Sequence, residues 1–169
     1  VDAAQFAPCQ NTKTVENMKE GEHLFKVRAT DKAGNKELKP VEMTWVVDTT
    51  LPETKIEDKP IALTNAQNAK FRFSGNEKFV NFECRLDNTQ WAKCTESVEY
   101  SGLKEGKHII EVRSIDRAGN RDSSPEKYEW SIDITPPAVE IKEKPQQVSI
   151  DIAARFTLSS NEESSYFIC

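Results

Sequence analysis

The sequence predicts an all-β fold: a row of two-sheet antiparallel sandwiches with about seven strands in each unit. Three observations predict it. Residue types recur at a constant interval, apolar residues alternate with polar ones at period two, and turn-forming residues punctuate the chain. The segment Asp31-Lys32-Ala33-Gly34-Asn35 recurs as Asp116-Arg117-Ala118-Gly119-Asn120, and 116 − 31 = 85. The same interval carries Cys9 to Cys94, Gly21 to Gly106, His23 to His108, Trp45 to Trp130 and Asp48 to Asp133. It also carries Phe71 to Phe156, Asn76-Glu77 to Asn161-Glu162 and Cys84 to Cys169, with no gap. A unit of this length exceeds the common helical solenoid repeats and suits a small sandwich.

In chain order, residues 1–48 supply the back portion of a first unit. There Phe25, Val27 and Ala29 alternate with Lys26 and Arg28, the pattern of a half-buried strand. Residues 49–52, Thr49-Thr50-Leu51-Pro52, form a joint stiffened by proline. Residues 53–133 make a complete unit. Its strands are carried by Thr54–Ile56, by Phe71 and Phe73, by Phe82, Cys84 and Leu86, by Val98–Tyr100, by Ile110 and Val112, and by Tyr128, Trp130 and Ile132. Residues 134–137, Ile134-Thr135-Pro136-Pro137, form a second joint, and 138–169 are the front portion of a third unit. Gly34 and Gly119 are placed to take positive φ, the aspartates Asp31 and Asp116 to cap amides, and the neighbouring asparagines to accept a left-handed backbone. Such faces, each apolar on one side, must stack in pairs.

Composition narrows the function. Lys and Arg number 23 against 28 Asp and Glu, a formal charge of −5 with both signs interspersed, which argues against a nucleic-acid surface. No apolar run approaches the ~20 residues a helical membrane span needs, and no targeting segment is visible at the N-terminus. Cys84 and Cys94 flank the turn Asp87-Asn88-Thr89 and are expected to bond across a hairpin; two histidines are too few to complete a zinc site with them. By the repeat interval Cys9 is the second cysteine of its unit and Cys169 the first of its own. Each therefore finds its partner outside this chain or in a neighbouring one. Disulfides of either kind imply an oxidising space, extracellular or at the cell surface.

The run Phe82-Glu83-Cys84-Arg85-Leu86-Asp87, then Cys94, Tyr100-Ser101-Gly102-Leu103 and Gly106-Lys107-His108, leads into Glu111-Val112-Arg113-Ser114-Ile115-Asp116-Arg117-Ala118-Gly119-Asn120 and closes on Tyr128-Glu129-Trp130-Ser131-Ile132-Asp133. Taken together these motifs resemble the bacterial tandem Ig-like repeat of large surface or secreted proteins. The resemblance covers essentially the whole chain and implies an Ig-like or fibronectin type III-like sandwich used in stalks and adhesins. It brings no catalytic residues. Asn17-Met18 departs from the family's usual Gly-Leu.

Nothing in the chain resembles a nucleophile beside its base or a phosphate-binding glycine loop, so no catalytic residue, enzyme activity or cofactor is expected. His23 and His108 recur at a strand start and read as turn-packing groups. Asp31, Asp48, Asp116 and Asp133 lie near the joints and are the calcium candidates; turn capping and pairing with Arg28, Arg113 or Arg117 is the favoured role. Trp45 and Trp130 read as core anchors, and Trp91, beside the hairpin, is the aromatic to consider for ligand contact. The expected function is a structural module of an extracellular stalk, adhesin or fibre, with further copies of the repeat as partners. A sharper form has subunits assembling head to tail, each completing its neighbour's split terminal repeat. The alternative is a loop-mediated module that binds a glycan or host protein.

Overall fold

The computed structural model describes residues 2 and 5–169, and among them all regular structure is β. Twelve strands form four sheets. β1 (Gly21–Val27) pairs antiparallel with β2 (Val41–Val47). β3 (Thr54–Asp58), β5 (Ala69–Gly75) and β8 (Ser97–Tyr100) form a three-stranded sheet in the order β3-β5-β8. β4 (Leu63–Thr64), β6 (Asn81–Leu86), β7 (Ala92–Cys94), β9 (Gly106–Ile115) and β10 (Glu126–Ile132) form a five-stranded sheet in the order β4-β10-β9-β6-β7. β11 (Val139–Glu143) and β12 (Thr157–Ser160) pair antiparallel at the end.

The core lies between the three- and five-stranded sheets because both send their alternate residues inward. Phe71 and Phe73 of β5 meet Phe82 and Cys84 of β6, Ile110 and Val112 of β9, and Trp130 and Ile132 of β10, all buried. Phe71 packs against Trp130 at 5.2 Å between ring centroids. A polar tie joins the sheets: Thr54 Oγ1 donates to Asp122 Oδ2 at 2.6 Å and accepts from the Ser114 amide at 2.8 Å, all three residues buried.

This middle sandwich has eight strands, not seven. Its leading edge splits into β3 on one sheet and β4 on the other, with Lys59-Pro60 between them. Pro60 lacks an amide donor and interrupts the ladder, so the chain changes sheets there. β4 then runs parallel to β10, with Leu63 opposite Ser131 and Thr64 opposite Ile132.

Strand formation in the outer portions follows the partners present. β5 pairs with β8 through Ala69–Arg72, but residues 154–157, one interval later, have no such neighbour, and β12 begins only at Thr157, where β11 supports it. Residues 7–9, 12–15 and 166–169, equivalent to β7, β8 and the first part of β6, are irregular for the same reason. Trp45 is only half-buried, correcting its assignment as a core anchor: among the described residues no second sheet covers β1–β2, whereas Trp130 is covered by one and is buried.

Candidate functional site

The two histidines occupy matching clamps. His108 Nδ1 lies 2.8 Å from Asp87 Oδ2 and its Nε2 2.8 Å from the Lys104 carbonyl, while the Ile109 amide donates to Asp87 Oδ1 at 2.9 Å. His23 repeats the arrangement, with Asp2 at 3.2 Å and the Lys19 carbonyl at 2.7 Å. A carbonyl only accepts, so Nε2 carries a proton, and a proton on Nδ1 as well lets both bonds form at once. Burial pulls the His108 pKa down, but the Lys104 and Asp87 bonds outweigh it and the net shift is upward. The His23 pKa is raised too, chiefly by the Lys19 carbonyl and then by Asp2. Each ring also packs on its unit's tryptophan, His108 on Trp130 at 5.5 Å and His23 on Trp45 at 5.6 Å. The geometry is that of a turn clamp.

Asp31 and Asp116 cap their own loops. Asp116 Oδ1 accepts from the Gly119 and Asn120 amides at 2.7 and 2.9 Å, and Oδ2 from Asn120 Nδ2 at 2.8 Å. Asp31 accepts from the Ala33 and Asn35 amides and from Asn35 Nδ2. Gly34 and Gly119 take φ of 90° and 100°, as the turn requires. The asparagines, expected to supply left-handed backbone, supply side-chain amides instead. Nor do the aspartates turn to the nearby arginines: Arg113 pairs with Glu83 at 2.7 Å, and Arg28 lies over the Phe6 ring at 4.3 Å. Asp133 is exposed and caps Thr135.

The joint between the first portion and the middle sandwich gathers charge. Carboxylate oxygens of Asp48, Glu77 and Asp116 lie within 4.8 Å of one another. Glu77 joins the aspartates without a spacing that marks it as a ligand; its recurrence as Glu162 is the one signal in the sequence. Its pKa is raised, first by burial and then by Asp48, Asp116 and Glu20. Asn120 Nδ2 also reaches the Asp48 carbonyl at 3.0 Å, and Glu20 accepts hydrogen bonds from Thr49 and Thr50. Pro52 is buried, while Thr49, Thr50 and Leu51 of the same joint are exposed. Calcium takes about six to eight oxygens, and here Asp116 already spends both of its own on the loop.

Cys84 and Cys94 form a disulfide, 5.9 Å apart at Cα, across the hairpin turned by Asp87 and Asn88 at φ 50° and 59°. Cys9 and Cys169 are free and exposed. Trp91 is half-buried with the Arg85 and Arg113 guanidinium groups over its ring at 4.7 and 4.3 Å, so its ring already has cationic neighbours. Arg85 also pairs with buried Glu111, which Lys127 holds at 2.7 Å.

No protein-family model and no curated protein matches the chain. Among solved structures it is similar to the extracellular domain of a one-component system protein from B. thetaiotaomicron, at 22% identity and a TM-score of 0.35. The match covers 41% of this chain and 11% of that one.

Proposed function

We propose that the chain is a structural module: Ig-like beads in series that transmit load along an extracellular stalk, adhesin or fibre and perform no catalysis. One observation carries the reading. β4 and β10 come near the beginning and the end of the middle unit's sequence yet lie side by side and run parallel, bound by Ser131 N to the Ala62 carbonyl at 2.8 Å and Asp133 N to the Thr64 carbonyl at 2.9 Å. Tension between the two joints shears these bonds together, in place of opening them one by one, and the Cys84–Cys94 bridge removes the hairpin from the extensible length. The bridge also supports an oxidising location. In its sharper form, head-to-tail copies complete one another's outer portions.

Pulling on the chain by both ends tests the reading. The middle sandwich should yield in one discrete event. Reductant should lengthen that event by about 30 Å, the reach of roughly ten extra residues at ~3.3–3.6 Å each less the distance the bridge already spans. Gradual extension without an event would refute a load-bearing role.

A further inference from the structure

On the outer face of the five-stranded sheet, carboxylates are sunk beneath cations. Residues of β6, β9 and β10 alternate about the core, so Glu83, Arg85, Glu111, Arg113 and Lys127 point away from it. Arg85 and Lys127 stand on either side of Glu111 and both pair with it. Arg113 pairs with Glu83 at 2.7 Å, and Arg121 lies 3.8 Å from the same carboxylate. The Glu111 side chain is 3% exposed and that of Glu83 15%, whereas Lys127 and Arg121 are 59% and 58% exposed. What meets solvent is therefore positive charge, in a chain whose formal charge is −5. Exposed Lys93, opposite Glu83 on β7, extends the patch, and half-buried Trp91 borders it.

The arrangement belongs to the middle unit alone. The histidine clamps and aspartate loops recur at the repeat interval, as devices that hold the fold do. Here Lys26, Glu42, Pro8 and Ile168 stand at the places of Glu111, Lys127, Lys93 and Glu83. The fold does not need these charges, and their layout is free to serve a partner.

We propose that this face binds a carboxylate-bearing polysaccharide, a polyuronate, laid across β7, β6, β9 and β10. The face already holds two carboxylates on its own cations, so its side chains are placed for that group, and Lys93, Arg121 and Lys127 have heads free to reach further ones. β6 and β9 are paired on both sides, so the face offers no backbone edge and an extended chain meets side chains only. Trp91 adds aromatic surface beside the cations, on which the apolar face of a sugar ring stacks. A duplex nucleic acid, with a charge about every 1.7 Å, is repelled by the net negative remainder of the chain; a polyuronate carries one charge per sugar.

The test is affinity electrophoresis of the 169-residue chain in sodium alginate, with neutral dextran, polyglutamate and a DNA oligonucleotide as comparisons. Alginate should retard the chain, dextran should not, and concentrated salt should release it. Arg121→Gln/Lys127→Gln should weaken alginate binding about tenfold. Arg85 and Arg113 still hold the two carboxylates in that variant, and an unchanged melt of the middle sandwich checks that it folds. Lys55→Gln/Lys70→Gln removes the same charge from exposed positions on the outer face of the three-stranded sheet and should leave binding unchanged. Alginate should also alter the indole fluorescence of the chain, and Trp91→Phe should abolish that change. No retardation by alginate, or equal weakening in the two double variants, would overturn this face as the site. Tighter binding of polyglutamate or the oligonucleotide would overturn a polysaccharide as occupant. A fluorescence change that persists in Trp91→Phe would overturn stacking on that ring.

Discussion

His108 faces two acceptors, the Asp87 carboxylate and the Lys104 carbonyl, and satisfies both fully only as the imidazolium. A histidine whose folded pKa is raised above its unfolded value of about 6.5 stabilises the fold fully below that value, and the contribution is lost as pH rises through the folded pKa. The melting temperature should therefore decline from pH 6 to pH 8. His108→Gln should flatten that decline in a differential scanning calorimetry series, and an unchanged slope would show that the clamp works with neutral histidine.

Reducing the Cys84–Cys94 bridge frees a loop spanning a sequence separation of 10. Chain-entropy arguments put its stabilisation at about 3 kcal/mol. Cys84→Ser/Cys94→Ser should lower the melting temperature of the middle sandwich by more than about 10 °C. A shift under a few degrees would mean that the denatured hairpin is already closed.

Thr54→Val keeps the shape and removes the hydroxyl that Asp122 and the Ser114 amide share. Losing that partner from buried polar groups should cost about 1–3 kcal/mol, read from urea denaturation. The outer portions lack this tie, since Val139, Ala29 and Glu37 occupy the equivalent positions. Thr54→Ser should retain most of the stability.

Phe79 has φ of 61° and is 81% exposed, and Ser164 repeats the conformation at 63°. An aromatic residue in the left-handed region costs about 1–2 kcal/mol, partly recovered by glycine, whose unfolded state is freer. Phe79→Gly should stabilise the sandwich by about 0.5–1 kcal/mol in the same denaturant assay.

Chelation with EDTA should leave the melting temperature unchanged, because loop amides already engage Asp116. A fall of several degrees, restored by calcium, would instead make Asp48, Glu77 and Asp116 a calcium site.

The middle sandwich was legible because its strands alternate cleanly and have all their partners. Phe71, Phe73, Ile110, Val112 and Trp130 face inward as the period-two pattern requires, and the turn between Cys84 and Cys94 brings them together. Asn17, the departure from Gly-Leu, stands at φ 56° where Gly102 stands at 67°, so asparagine fills a left-handed position that tolerates it. What the pattern hid was context. Alternation in residues 1–48 and 138–169 signals the same strands, yet Trp45 and Phe156 stay uncovered because burial depends on a second sheet. The Asp48–Glu77–Asp116 cluster was only half visible, since proximity across a joint leaves no spacing in the chain. The switch from β3 to β4 hinged on Pro60, whose effect on sheet membership emerges only once the neighbouring strands are placed.

The side chain of Asn120 serves its own loop through Asp116 and the preceding portion through the Asp48 carbonyl. The fastening between the first portion and the middle sandwich therefore uses a residue of the sandwich's own loop and not a separate spacer. Asn35 and Asp133 hold the places of Asn120 and Asp48 one interval away, so the recurring pattern carries both halves of the latch, and a substitution at either place would loosen a loop and a joint together.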